Sequence, residues 1–447
     1  IGACDWSSDV CSSDLASIGL GGMIGGGVFA VLGVVAGITG AAAWAAFTGA
    51  CVLSTCAAYS FLKLNEVYDV QGGSVTLIRE AISGEVAGFV GWTLLFGYVG
   101  ATAMYASAFG SFFTRLAGVE TLSLGAVGLP VRPAVSALAV LAFVGLNLAG
   151  ARATGSTETL LVGVKLVVLV GVAGWGLYYG WGADSLEFGI SKLTDGGFGV
   201  VRALAVSFVS FQGWQLLMYD QDRIQNPSST LPKAVYLSIA VTVVVDGMVA
   251  LLVTSLAPSQ VITAHPELAV AEAVRPFLGG LGFTLISLAA LFSTGSAING
   301  TLFSSAHFGK GMLANDLLPD RLGDADADGV PERELVVIGV LAAGFAAYGS
   351  LQGITSFGSL AFMLVFGSVS LIAFRKRDHD AINPVLPALG ALGSLALFPV
   401  LLYHLAVYEP GTFGTVVLVA LAVFGLELGY FEGDQLRDGV EELEDRV

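Results

Sequence analysis

Gly19-Leu-Gly-Gly-Met-Ile-Gly-Gly-Gly-Val-Phe-Ala-Val-Leu-Gly33 is an apolar stretch interrupted at its centre by three consecutive glycines, Gly25–Gly27. It lies within an apolar run over 15–38, and a helix needs about 20 such residues to cross the hydrocarbon core of a bilayer. Each glycine weakens a helix by roughly 1 kcal/mol relative to alanine, so the run marks a weak point near mid-membrane. Unwound backbone at that depth is tolerated where it is buried in protein or lines a cavity. A break there exposes N–H groups of the following half-helix, whose positive dipole end suits a carboxylate. The same residues also read as a packing face, because Gly21 with Gly25 and Gly22 with Gly26 are small-xxx-small pairs.

Outward from this stretch, the 447 residues are 55% hydrophobic and 12% charged, with a mean hydropathy of +0.81. A soluble domain needs more charge to cover its surface. Apolar runs recur at roughly 41–63, 85–114, 132–150, 155–180, 198–219, 233–256, 277–307, 335–350, 354–374, 384–404 and 412–430. They are too long for strands and lack period-two alternation. The expectation is an all-α integral membrane protein with about twelve transmembrane helices.

Several function classes are excluded by composition. Cys51 and Cys56 lie inside one apolar span, where a thiol behaves as a small hydrophobe. No His, Cys, Asp or Glu cluster has metal spacing, and no Walker-type phosphate loop occurs, so neither a metal nor an ATP-driven step is expected. A net charge of −16 argues against nucleic acid. The acids crowd into 316–334 and the tail 431–447, which read as solvated surface. Such enrichment is similar to that of proteins from salt-loving microbes. His265, His379 and His404 read as surface residues in loops or at span ends.

The first fifteen residues, IGACDWSSDVCSSDL, hold a near-tandem SSDVC/SSDL, have no apolar helical face and abut the first span without a basic flank. They resemble translated sequencing-adapter sequence more than a signal peptide. They are therefore set apart as a foreign leader (1–15) standing in place of the native amino terminus. Alternating the loops from a cytoplasmic start puts 14 of the 19 Lys and Arg on the inside, with Arg375-Lys-Arg377 the strongest anchor. Both termini are then cytoplasmic.

The sixth run, Ser207-Phe-Val-Ser-Phe-Gln-Gly-Trp-Gln-Leu-Leu-Met-Tyr-Asp220, is interrupted at mid-depth by Ser210, Gln212 and Gly213, with Phe208, Phe211 and Trp214 around them. Two interrupted spans, one early in each half of the chain, point to a binding site at an inverted-repeat interface. The halves are 16–180 and 198–377, followed by two helices over 384–430 and the tail.

Gly22-Met-Ile-Gly-Gly-Gly-Val-Phe29 resembles the first-helix motif of the amino acid–polyamine–organocation (APC) permeases. In the same order, Gln71-Gly-Gly-Ser74, Asn147-Leu-Ala-Gly150 with Lys165, Phe211-Gln-Gly-Trp214, Asn226-Pro227, Leu231-Pro-Lys-Ala234 and Gly311–Pro319 resemble later motifs of that family. Each is weak alone, and the ordered set is more specific. Two departures concern the inner gate: an arginine usual near the end of the eighth helix is replaced around His307, and Asp222 stands one residue further from Asn226-Pro227 than the usual glutamate. The resemblance implies the LeuT-like five-plus-five inverted repeat shared with sodium-coupled neurotransmitter transporters, with broken first and sixth helices. It implies substrate carboxylate on the amides of Gly25, Gly26 and Gly27. The substrate ammonium would meet carbonyls near Met23–Ile24 and Ser210–Phe211, beside Gly213, with Phe211 or Trp214 covering it.

Two ionisable residues lie deep in apolar runs. Lys165, in LLVGVKLVVLV, is about 15 Å from the span's cytoplasmic end by helix rise, too far for easy snorkelling. In some APC members a lysine here stands where related carriers hold sodium, and it is linked to proton coupling. The other reading is a fixed cation bonded to first-helix carbonyls. Asp246, in VTVVVDGMVALLV, matches no family motif and reads as a counter-ion, a proton carrier, or a neutral acid bonded to a neighbouring helix. The functional expectation is a carrier of amino acids across the cytoplasmic membrane by alternating access, proton-coupled or exchanging, without catalytic residues or cofactor. The alternative is a same-fold carrier of polyamines or another small organic solute. A channel or membrane-embedded enzyme is disfavoured, since neither a polar pore face nor a convergent nucleophile set is present.

Overall fold

A computed structural model describes residues 12–68, 73–124, 127–149, 155–194, 197–218, 224, 226–319, 323 and 331–426. Residues 1–11 of the leader, Gln71, Gly72, Gly150, Asp222 and the acidic tail lie outside these.

Every apolar run forms helix among its described residues. The first begins as α1 (Ser12–Gly26), passes through a π-helical turn at Gly27–Val31 and continues as α2 (Leu32–Thr39). Gly40, at φ 60°, turns the chain toward α3 (Ala43–Tyr68). Then come α4 (Gly73–Ala81), α5 (Gly84–Ala117), α6 (Arg132–Leu148), α7 (Gly155–Gly182), α8 (Ile190–Thr194) and α9 (Phe198–Ser207). The last tightens into a 3-10 segment, Phe208–Met218, before α10 (Pro227–Leu256). Two short helices, α11 (Ser259–Ala264) and α12 (Ala269–Ala273), precede α13 (Arg275–Leu313), which kinks at Gly279 where φ is 61°. The chain continues through α14 (Glu332–Tyr348), α15 (Leu351–Arg375), α16 (Val385–Tyr408) and α17 (Pro410–Leu426).

Eight stretches among the described residues are long and apolar enough to cross a membrane, the first being Leu15–Tyr68 with its turn at Gly40. Arg132–Leu148 and Pro410–Gly425 are shorter apolar helices. Leu281, Val167 and Phe292 are largely exposed on helix faces, which suits contact with lipid rather than water. Trp175, Tyr178 and Trp181 are exposed near the end of α7, the placement of an interfacial aromatic belt. The chain is an integral multi-pass membrane protein.

Within this helical fold, Thr121–Leu124 (β1) and Val127–Pro130 (β2) pair antiparallel, with Leu122 opposite Leu129. α1 begins at Ser12, and Leu15 is buried in the core. The start of α10 is set by Asn226 at φ 48° and Pro227 in the first turn, and Pro232 lies inside the helix. His404, expected at the surface, is instead buried in α16, with its Nε2 3.2 Å from Gln352 Nε2.

α1 is the hub of the bundle, packed against α7, α10, α13 and the 3-10 segment. α5 lies alongside α6, α13 and α15, and α15 packs on α16. Asn147 explains part of its motif: its Nδ2 donates to Asn299 Oδ1 at 2.8 Å, tying α6 to α13.

Candidate binding site around the first span

Neither span is unwound where a break was expected. The glycine run passes from α to π geometry at Gly27, with Leu32 N–H donating to the Gly27 carbonyl, and Gly26 keeps right-handed helical angles. The sixth run changes in the opposite sense, to the tighter 3-10 pitch over Phe208–Met218. The second disturbance spans Ser210–Gly213, while the first starts at Gly27, the last of the three glycines, and runs on to Val31; both are changes of pitch. The neighbours supply the reason, since every glycine of the run is closely covered. π turns and long 3-10 segments are uncommon inside helices and are found often at functional sites or hinges.

The glycines admit four different neighbours. A β-carbon on Gly22 would lie 3.3 Å from Gly213 Cα, and one on Gly213 would lie 2.8 Å from the Gly19 carbonyl oxygen and Met23 N, so the two altered spans meet backbone to backbone. On Gly25 it would lie 2.8 Å from Ala297 Cβ and the Ser293 carbonyl of α13. On Gly26 it would fall on the Tyr105 ring of α5, and on Gly27 it would lie 3.0 Å from Asp246 Oδ2 and 3.2 Å from Ser210 Cβ. The packing reading of these glycines is therefore realised.

The first-span carbonyls also serve outside the helix. Lys165, buried in α7, has Nζ 3.5 Å from the Gly21 carbonyl oxygen, and Tyr105 Oη donates to the Gly22 carbonyl at 3.2 Å. Gln212 Nε2 donates to Tyr105 Oη at 2.9 Å, linking the 3-10 segment to α5. Tyr105 was not singled out from sequence. The usable signal was a phenol in the middle of an apolar span, which needs a partner when buried.

Met23, Ile24, Gly25, Gly26, Gly27, Ser210, Phe211 and Gly213 are all buried in this region, Met23 Sδ being 3.8 Å from Thr242 Oγ1. Trp214 is directed elsewhere: its Nε1 donates to Ser54 Oγ of α3 at 2.9 Å, and its ring lies against Phe61 and Phe366. Asp246 is fully buried on α10 beside Gly27 and Ser210. Its two oxygens have no hydrogen-bond partner among the described residues. At one end of the bundle a vestibule of about 520 Å³ is lined by residues including Arg115, Arg132, Glu267, Glu272 and Gln352. Gly33 of α2 closes against the Pro266 carbonyl there.

A family model described as amino acid permease matches residues 13–425. The chain belongs to the amino acid permease family. It is a transporter of the APC type and not an enzyme. It is 30% identical over 314 residues to an uncharacterised protein of Methanocaldococcus jannaschii, covering 69% of each chain. The inner membrane transport protein YbaT of Escherichia coli is 26% identical over 309 residues, 68% of this chain and 69% of that one. The fold is similar to that of the Eremococcus coleocola manganese transporter, solved with an aromatic bis-isothiourea substituted compound. That match has a TM-score of 0.59 and 14% identity, over 93% of both chains.

Proposed function

We propose that this permease is a secondary active carrier of amino acids in the cytoplasmic membrane, working by alternating access with proton coupling. In this reading twelve helices cross the bilayer, both termini are cytoplasmic, and the first ten form two inverted repeats of five. One observation carries it: the two spans that lose α pitch, at Gly27–Val31 and Phe208–Met218, are the two that meet backbone to backbone at Gly22 and Gly213. Paired helices with disturbed ladders are where such carriers build their sites. Opening of the first span at its glycine run frees N–H groups for the substrate carboxylate. The family's description supports amino acids as cargo. Lys165 against the Gly21 carbonyl supports a cation built into the place that a coupling ion would otherwise take.

The test is uptake into sodium-free proteoliposomes of labelled amino acids, with polyamines as the competing class, under an imposed pH gradient. Amino acids should accumulate, and collapse of the gradient should abolish accumulation. Uptake that needs sodium and ignores the gradient refutes the coupling; accumulation of polyamines alone refutes the cargo.

A further inference from the structure

We propose that the Asp246 carboxylate, with the Ser210 hydroxyl beside it, is the ammonium-binding subsite of this carrier, which makes its substrates primary amines carried as zwitterions or cations. The inference rests on the amino acid reading above and names the group that recognises the amine.

The position comes first. Asp246 projects from α10 onto the first span where the π turn begins, with Oδ2 3.0 Å and Oδ1 3.3 Å from where a β-carbon on Gly27 would stand. Ser210 Cβ lies 3.2 Å from the same point, on the 3-10 segment. A buried acid is thus set where the two altered spans and α10 converge, and glycine at 27 is what lets it reach the first-span backbone.

The second observation is which hydrogen-bonding atoms are left over. Three donors around the site are engaged: Gln212 Nε2 to Tyr105, Tyr105 Oη to the Gly22 carbonyl, and Trp214 Nε1 to Ser54. Atoms here without partners among the described residues include the acceptors Asp246 Oδ1 and Oδ2 and Gln212 Oε1, with the hydroxyls of Ser210 and, near Tyr105, Thr301, which can act either way. A region with acceptors to spare calls for a ligand that brings donors, and an ammonium has three N–H donors and no acceptor. A lone proton would meet one carboxylate oxygen and leave the others unmet. The acid also repels an anionic group at Gly27, which puts a substrate carboxylate further along the run, toward Gly25 and Gly26. Recognition of the amine by backbone carbonyls alone, as the resemblance implied, is replaced here by a side-chain charge.

Equilibrium binding to purified protein in nanodiscs tests this with labelled L-alanine, L-lysine and putrescine. The competitor is propionate, which is alanine without its amine. Amines should compete and propionate should not. Asp246→Asn should weaken amine binding about 10- to 100-fold, as expected for loss of hydrogen bonds to a charged group, and Asp246→Glu should recover part of it. If Asp246→Asn does not fold, Ser210→Ala and the propionate comparison on wild type carry the decision, Ser210→Ala being expected to weaken binding several-fold. Propionate competing as well as alanine overturns the subsite. So does an Asp246→Asn protein that binds alanine normally but loses proton-driven accumulation, which would make the acid a proton carrier. If no amino compound binds the wild type, the amino acid reading itself falls, and this inference with it.

Discussion

The Tyr105 ring occupies the space that a side chain at Gly26 would need, while its hydroxyl donates to the carbonyl of Gly22 one turn earlier. A single residue of α5 thus fixes both the spacing and the backbone bonding of the first span. Gly26→Ala should therefore act through overpacking, at a cost of about 1–3 kcal/mol. Replacing the ring as well, in Gly26→Ala/Tyr105→Leu, should restore part of that loss, with a coupling of about 1 kcal/mol or more between the sites. Thermal unfolding of the two single variants and the double variant measures it. Additive losses would show that the glycine is needed for backbone opening and not for the ring.

Lys165 places its ammonium against the Gly21 carbonyl. If it couples transport to protons, its charge must come and go as the first span moves against α7. Lys165→Ala should keep equilibrium substrate binding within several-fold of wild type while losing accumulation driven by a pH gradient. Lys165→Arg, which keeps a permanent charge, should lose accumulation too. An arginine variant that accumulates substrate normally would make this residue a fixed structural cation.

What could be read from the sequence follows from what a side chain reports by itself. Three glycines, and a Ser-Phe-Gln-Gly run, weaken any helix that contains them, so pitch changes at or beside these residues were to be expected, the first starting at Gly27 and the second spanning Ser210–Gly213. Whether a weakened helix unwinds, widens or tightens depends on what presses on it. Tyr105, Asp246 and Gly213 come from elsewhere in the chain, so that outcome was hidden. The depth of Asp246 followed from its apolar flanks, but its seat beside Gly27 did not. The Thr121–Pro130 hairpin was missed because two four-residue strands inside a loop carry no pattern to set against the spans around them.

Phe211 or Trp214 was expected over the substrate amine; Trp214 is bonded to Ser54 and packed on Phe366. An indole near polar residues suits either place, and only the neighbours decide. Trp214→Phe should lower stability by about 1–2 kcal/mol, through the lost bond and the unpaired Ser54 hydroxyl. Substrate affinity should stay within about twofold, since the expected loss is in the core and corresponds to under about 0.5 kcal/mol of binding. Thermal unfolding and equilibrium binding on the same preparation separate the two. A tenfold loss of affinity at unchanged stability would return the ring to the site.

Gly33 and Pro266 make the closest backbone approach at the vestibule end of the bundle, where a β-carbon on Gly33 would fall on the Pro266 carbonyl. The contact presses α11 and the 3-10 turn Pro266–Leu268 onto α2, with Ile262 buried against Gly37. In the proposed orientation, with both termini cytoplasmic, this end faces outward and the contact stands between the outside and the glycine run. Because a backbone carbonyl cannot rotate away as a side chain can, Gly33→Ala must lift the segment or distort α2. An overpacking cost of about 1–3 kcal/mol shifts the population with the segment lifted by about 5- to 100-fold. A cysteine placed at Ile262 should then react faster with an impermeant maleimide in the Gly33→Ala background, by a factor in that range. The parent protein without that cysteine controls for the native Cys4, Cys11, Cys51 and Cys56. Transport should slow at the same time, because a carrier that cannot close one end cannot complete its cycle. Unchanged labelling in a folded Gly33→Ala protein would mean that α2 absorbs the extra methyl and that this contact does not govern closure.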